Sequence, residues 1–316
     1  MLADCIASIH RQTFRDYEVI VVDNGSSDNS WNLPCFDNDQ WRLLRLGHNS
    51  GFSYANNLAL AESKGEFIAL INNDVLLSPE WAANILRAMQ ANTMTGSAAC
   101  LLLQMRHPGI IDSAGCCYHS CGTVTSWSGY QLAGFDFSNH KPFGAVASAA
   151  LYRRTALEKV GLFHERYFAY YEDTDLAVRL VLHGYGCVFA HDATGLHYGS
   201  ATGLSRSRFH IYHLRRNVEF LYWVDMIGTM ALRHLAPHLL YELMAFIGAI
   251  INGKCLAFIS AKINFLQSLR WVVGERRKLR LSLIASGGIG VAKHRLHAQM
   301  APGISILWRR ISNLKM

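Results

Sequence analysis

Two short runs of mostly β-branched and aliphatic residues each stop at an acidic, turn-forming segment. Val19–Val22 ends in "DNGSSD", and a strand over residues 66–71 ends in "NND". Continuous apolar runs of this length suit strands buried on both faces. Helical patterns follow each run. "NSGFSYANNLALAES" enters a helix from a glycine loop, and "SPEWAANILRAM" supplies Ser78 as N-cap with Pro79 and Glu80 in the first turn. Such alternation predicts a parallel α/β sheet, in which ligands sit at the carboxyl ends of strands. Asp23 and the Asn72–Asn73–Asp74 triplet then face one cleft.

Residues 2–13 read as a helix without the long apolar core of a secretory signal. Residues 107–145 are rich in Gly, Ser and His and predict strands and loops over the cleft. "VASAALYRRTALEKVGLF" predicts a strand then a helix. "EDTDLAVRLVLHGYG" predicts a helix closed by Gly184, and "CVFAHDATGLHYGSAT" a last strand and loop.

Beyond residue 218 the texture changes. Residues 1–203 hold 13 Lys and Arg against 19 Asp and Glu, whereas residues 204–316 hold 17 against 4. An acidic body with a basic tail points to an anionic partner, either nucleic acid or a membrane surface. The most apolar window, 235–251, contains Pro237, His238 and Glu242. These predict an interfacial or re-entrant helix rather than a spanning one, against the alternative of a helical bundle packed on the sheet. The tail has no RNP, zinc-finger or helix-turn-helix pattern, which argues against nucleic acid. Of eight cysteines only Cys116, Cys117 and Cys121 cluster, without paired CxxC spacing, so they read as thiols rather than zinc ligands.

Four places carry residues suited to chemistry. Asp74, among amides at a strand end, can hold magnesium or manganese together with ligand phosphates, or close an Asx-turn. Asp23 can accept hydrogen bonds from a nucleobase or ribose, or close a turn. No GxGxxG follows a strand and no GxxxxGK[ST] exists, which excludes the usual dinucleotide and P-loop sites. In "YFAYYEDTDLAVR", Asp173 follows a run of aromatic rings and opens a helix. A partly dry carboxylate there can take a proton from a hydroxyl, with Glu172 and Asp175 positioning it. The alternative is a solvated acidic helix start. His197, in "GLHYGSAT", is a candidate metal ligand or a structural histidine.

In order and spacing, "EVIVVDNGSSDNS", "NSGFSYANNLAL", "FIALINNDV", "LEKVGLFHERYFAYYEDTDLAVRLVLHGYG", "LHYGSAT" and "HLRRN" resemble the inverting family 2 glycosyltransferases. The likeness is greatest to the bacterial rhamnosyltransferase-like branch, and it covers residues 2–220. It implies a GT-A fold, a Rossmann-like mixed sheet, that binds a nucleotide-diphosphate sugar. Together with the change of texture after residue 218, this divides the chain into an N-terminally truncated transferase domain over 1–217 and a helical, basic, membrane-associating region over 218–316. By resemblance Asp23, Asn49, Gly51, Asn56, Asn72 and Asn73 line the nucleotide-sugar site. Asp74 and His197 hold Mg2+ or Mn2+, Asn72 standing where the first Asp of a DxD-type motif would be. Asp173, the second member of the family's "ED" pair after Glu172, is the general base. Arg216 and Asn217 match a trailing "RN".

The resemblance further implies a dTDP- or UDP-sugar donor, a saccharide or lipid-linked acceptor in surface polysaccharide synthesis, and no nucleic acid. It places the protein at the cytoplasmic face of the bacterial membrane. Two departures stand out. The family begins with a strand before the helix that opens this chain. That leaves open an inactive fragment or a non-catalytic nucleotide-sugar binder, with unpaired backbone on a neighbouring strand. His164 replaces a common Asp.

Overall fold

A computed structural model of the protein describes residues 1–32, 40–199 and 207–303. The chain divides into two compact units. The first comprises Met1–Cys116, Ser126–Leu180 and the chain from Tyr185 through the last strand. The second comprises Cys117–Thr125, Val181–Gly184 and the helices from Arg208 onward.

The first unit opens with α1 (Leu2–His10), shorter than the predicted 2–13. The strands β1 (Val19–Asn24) and β2 (Trp41–Leu46) form a two-stranded parallel sheet. After α2 (Phe52–Glu62) come β3 (Phe67–Ile71), β4 (Val75–Leu77), α3 (Trp81–Gln90), β5 (Thr95–Gln104) and β6 (His107–Ser113). After the short ladder of β7 (Cys116–Tyr118) and β8 (Val124–Ser126), most of which belongs to the second unit, β9 (Ala149–Arg153), α4 (Arg154–Val160), α5 (Glu172–Leu182) and β10 (Gly186–His197) follow. The main sheet runs β3-β9-β5-β10-β4, with β6 on β5.

Three expectations are corrected. The sheet is mixed: β10 pairs β5 in parallel, whereas β3–β9, β5–β9, β10–β4 and β5–β6 are antiparallel. Local patterns reveal strand existence but not strand direction. β1 is only half-buried before Asp23, because its two-stranded sheet gives it one partner. Among the described residues β1 pairs with β2 alone and β3 with β9 alone. Helix α3 starts at Trp81, not after Ser78, and Ser78 makes no cap. The Ser78 N–H continues the sheet by donating to Thr194 O at 3.0 Å, while its carbonyl accepts from Gln12 Nε2 at 2.8 Å. That bond and Ser8 Oγ, which accepts from Leu77 N at 3.2 Å, dock α1 on the β4 segment.

Among the described residues three core clusters lie in this unit, the smallest of them Leu101, Ile111 and Ala114. Of the two larger ones, one gathers Ile68, Leu70, Tyr152, Leu157, Phe163 and Leu176; the other gathers Val75, Trp81, Ile85, Met89 and Leu102. Burying side chains of this size contributes roughly 1.5–3 kcal/mol each.

The second unit contains α6 (Arg208–Asp225), α7 (Met230–Arg233), α8 (Leu235–Ile251), α9 (Cys255–Gln267), α10 (Leu269–Ala285) and α11 (Ile289–Gln299). α6 buries Val218, Phe220, Leu221 and Tyr222, and Phe220 meets Phe265 of α9 and Trp271 of α10. A buried charge network supports this packing. Glu219 receives Lys262 Nζ at 2.5 Å and His238 Nε2 at 3.2 Å, and Lys262 also pairs with Glu242. Glu242 lies 3.4 Å from Arg215, and Arg216 Nε donates to Asn217 Oδ1 at 2.9 Å. Buried charges persist where partners replace water in this way. His238 and Glu242, the polar groups of the 235–251 window, are thus spent inside the unit. No described helix is long and apolar enough to cross a membrane.

Candidate active site

All the sequence-predicted site residues lie in the first unit, on three segments joined by short hydrogen bonds. The first is the turn after β3. β4 pairs antiparallel with β10 so that Val75 faces His197, and the Tyr198 N–H donates to Asp74 O at 3.0 Å. This register sets His197 Nε2 3.4 Å from Asp74 Oδ1. The other ring nitrogen, Nδ1, lies 2.6 Å from Asp112 Oδ2. Asp112 sits on β6, between the buried Ile111 and Ser113. Sequence reading passed over it, because "GIIDSAG" carries no motif; the one available signal was an acid between two buried neighbours on a strand.

Burial works against charge on His197, but Asp112 and Asp74 outweigh it and push the imidazole up to about 9. Burial also opposes ionisation of Asp74, and His197 outweighs it, holding the carboxyl below its ordinary value. Asn72 and Asp74 are half-buried and Asn73 is exposed. The Ser200–Thr202 end of the histidine motif lies outside the described residues.

The second segment joins the ends of β1 and β2. Asp23 is buried; its Oδ1 accepts from the Ser26 N–H at 2.9 Å and its Oδ2 lies 3.6 Å from Arg45 Nε. Burial opposes ionisation, but Ser26 and Arg45 hold the carboxyl below its usual range. The neighbouring Asn24 organises the loop. Its Oδ1 accepts from Ser50 N at 2.8 Å, and its Nδ2 donates to Asn49 Oδ1 and Gly51 O, both at 3.2 Å. Asn49 Oδ1 also accepts from Gly51 N at 3.0 Å. Asn56 donates to Phe52 O at 2.9 Å, one helical turn back.

The third segment is "YFAYYED". Phe168, Tyr170 and Tyr171 all adopt positive φ, near +65°, +72° and +71°. Each such residue costs on the order of 1–3 kcal/mol and persists only where its surroundings enforce it. Two of the strained residues present carbonyls to helices. Phe168 O accepts from Phe52 N at 2.6 Å, at the start of α2, and Tyr171 O accepts from Asp175 N at 2.9 Å, in the first turn of α5. Gly51 is left-handed (φ +88°) and pressed against Phe168, where a Cβ would lie 2.6 Å from the ring. Of the four rings, Tyr167 and Tyr171 are core, and Phe168 and Tyr170 are half-exposed.

Three acids at the start of α5 have separate fates. Asp175 is fully buried. Arg179 donates to its Oδ2 at 2.6 and 2.9 Å, and His164 Nδ1 lies 3.1 Å from its Oδ1. Burial raises its pKa, but Arg179 and His164 outweigh that and depress it. Arg179 also donates to the carbonyls of Val160, Gly161 and Leu162, each at 2.9 Å. This pair therefore fastens α5 to the end of α4, and His164 is part of the same clasp. Glu172 is buried, and its Oε2 has no hydrogen-bond partner among the described residues. Burial, then the charge of Asp173, pushes it up to about 8. Asp173 is half-exposed. Its Oδ1 accepts from Thr174 N at 2.7 Å and its Oδ2 from Ala147 N at 3.2 Å; burial nevertheless raises its pKa.

Ala147 and Ser148 join the first and third segments. Ala147 donates to Asp173, and the next residue, Ser148, accepts from the Asn72 N–H at 2.8 Å. Asp173 and the Asn72–Asp74 turn therefore flank one short stretch of backbone.

The residues around Asp74 fit a divalent cation. Asp74 Oδ1 is buried without a well-formed hydrogen bond, and Asp112 fixes the ring of His197 with Nε2 turned to it. A carboxylate–histidine pair of this kind orients a ligand and raises its basicity. A cation would take the place of the histidine proton. Among the described residues no three His, Cys, Asp or Glu side chains are placed to hold a metal ion by themselves, so oxygens of a ligand and water would complete the shell.

The model of the family described as Glycosyl transferase family 2 matches residues 1–161. An N-acetylglucosaminyl-diphospho-decaprenol L-rhamnosyltransferase of Mycobacterium tuberculosis is 29% identical over 224 residues, 61% of this chain and 70% of that protein. The uncharacterized protein y4gI of Sinorhizobium fredii is 28% identical over 232 residues, 67% of this chain; the chain spans only 24% of that protein's length. Among solved structures, TarS of S. aureus in complex with UDP-GlcNAc has a TM-score of 0.55 at 16% identity, covering 95% of this chain and 88% of that one. GalNAc-T7 with UDP, GalNAc and Mn2+ has a TM-score of 0.52 at 11% identity, over 74% of this chain and 50% of that one. At these identities the likeness is one of fold: the mixed α/β sheet is that of the GT-A glycosyltransferases.

Proposed function

The chain belongs to glycosyl transferase family 2, and from that premise we propose that it moves a sugar from a nucleotide-diphosphate donor to a saccharide or lipid-linked acceptor, with inversion. The observation that carries this reading is the attachment of Asp173 and the Asn72–Asp74 turn to the consecutive residues Ala147 and Ser148. Single displacement at an anomeric carbon needs a base on the acceptor side and charge stabilisation on the diphosphate side. Asp173 supplies the first. Its raised pKa suits it to take the proton of the attacking hydroxyl, and its bonds from Ala147 and Thr174 aim it. Glu172, buried beside it, is itself held protonated by burial and by the charge of Asp173, which leaves Asp173 as the carboxylate.

Asp74 and His197 would hold Mg2+ or Mn2+, which neutralises charge on the departing diphosphate. Asp23, Asn49, Gly51 and Asn56, with Asn72 and Asn73, form the wall for the nucleoside and sugar. A dTDP- or UDP-sugar is the donor class we assign, and surface polysaccharide synthesis is the setting.

The helical unit has features that support a location at the membrane surface. On α8 Leu239, Leu243, Ile247 and Ile250 are exposed, and on α9 Leu256, Ile259, Ile263 and Leu266. Spacings of three and four place each set on one helix face. With the basic charge around them, these faces support peripheral binding to the anionic inner leaflet of the cell membrane.

The test is transfer from labelled dTDP-rhamnose and UDP-hexoses to a polyprenyl-diphosphate-linked sugar, with and without Mn2+. Turnover that requires both metal and Asp173 supports the proposal. Tight donor binding with no turnover on any acceptor would favour a nucleotide-sugar binder instead. Flotation with anionic vesicles tests location separately.

A further inference from the structure

A cavity of about 190 Å³ in the helical unit is lined by Thr229, Met230, Arg233, His234, Lys293, His294 and His297. It lies between α7 and α11, and no acid lines it. Residues 204–316 contain only four acids, Glu219, Asp225, Glu242 and Glu275. Glu219 and Glu242 pair with Lys262, His238 and Arg215, and Glu275 pairs with Lys278. Asp225 acts on Arg276. The unit's acids are thus engaged with other cations, and none balances the pocket.

The lining is organised as well as charged. Lys293 Nζ donates to Thr229 Oγ1 at 3.0 Å. The rings of His234 and His297 stand 6.1 Å apart and nearly parallel. The buried Nε2 of His234 has no hydrogen-bond partner among the described residues. A buried ring nitrogen without a partner carries a desolvation cost that a ligand can relieve, and the surrounding cations are met by water and not by a protein acid.

We propose that this pocket binds a phosphate group. A tetrahedral phosphate offers acceptors to Arg233, Lys293, the Thr229 hydroxyl and the histidines at once, and supplies the missing negative charge. The phosphate can belong to a lipid headgroup or to a small soluble phosphate. Leu232 of α7 and Val291 of α11 are exposed apolar residues suited to the first source.

Calorimetric titration of the full chain at low salt, with inorganic phosphate and separately with vesicles carrying phosphatidic acid in phosphatidylcholine, tests the site. The variants are R233Q/K293Q and, as a control of equal charge loss on α10, R277Q/K278Q. We expect saturable binding of at least one probe, weakened tenfold or more in R233Q/K293Q and little changed in the control. Binding of soluble phosphate identifies a small-molecule site, and binding of the vesicles alone identifies a headgroup site. Saturable binding of neither probe, or equal weakening in both double variants, overturns the proposal. Arg233, Arg277 and Lys278 are exposed and Lys293 half-exposed, so both variants are suited to fold, which circular dichroism verifies.

Discussion

His197 Nδ1 lies 2.6 Å from Asp112 Oδ2, while Nε2 of the same ring faces Asp74 Oδ1 at 3.4 Å. One imidazole thus joins two carboxylates, one from β6 and one from the turn between β3 and β4. Asp112 touches the candidate metal site only through the histidine, which makes it a positioning residue. Asp112→Ala should weaken Mn2+ binding by about 10- to 100-fold. Titration of Mn2+ in the presence of UDP measures this, and turnover at saturating Mn2+ should recover much of its rate. A loss that saturating metal does not repair would give Asp112 a different role.

Asp173→Asn keeps the shape of the side chain and removes its basicity. Transfer should fall about 10²- to 10⁴-fold, while donor affinity measured by calorimetry stays near that of the wild type. Equal losses in both would make Asp173 a structural acid.

Glu172, pushed up to about 8 by burial and by Asp173, holds its proton more tightly folded than unfolded. Its contribution to stability is fully present below its ordinary value of 4.5 and is lost as pH rises through about 8. Glu172→Gln should therefore raise the Tm relative to wild type at pH 8–9 and change it little near pH 4. Thermal melts across that range decide the matter; a gap between the two proteins that does not grow with pH contradicts the assignment.

The Asp175–Arg179 pair is buried on both sides. Arg179→Met leaves Asp175 without its main partner and frees the carbonyls of Val160, Gly161 and Leu162. Breaking such a pair costs about 3–5 kcal/mol, to be read from chemical denaturation. Because Arg179 and His164 hold Asp175 below its ordinary value, the stability of the pair fades as pH falls, and this variant should lose least stability at low pH.

Gly51→Ala forces a left-handed alanine against the Phe168 ring. Strain of this kind costs about 1–3 kcal/mol. The effect should reach donor affinity, since Gly51 belongs to the loop that Asn24 and Asn49 hold together. Donor titration and a melt together separate the two effects.

Much of this molecule is legible in its residues. Runs of apolar residues ending at Asp23 and Asn72–Asp74 mark strand ends, because a buried strand must stop where its side chains need water or a ligand. The acids of "YEDTD" mark a helix start, and the scarcity of acids after residue 204 marks a cationic helical region. These are local or compositional properties, so they survive without a third dimension.

The rest depends on pairings between distant segments. The strand directions, and the β4–β10 register that sets His197 on Asp74, arise from ladders no local period encodes. Asp112 enters the site only because β6 pairs with β5. The three acids of α5 look alike in sequence, yet Arg179 and His164 depress the pKa of Asp175 while burial raises those of Asp173 and Glu172. The sequence by itself determined which groups are available. Tertiary structure decided which charges are compensated and which are left uncompensated, because burial and partner distance are set only when remote parts of the chain meet.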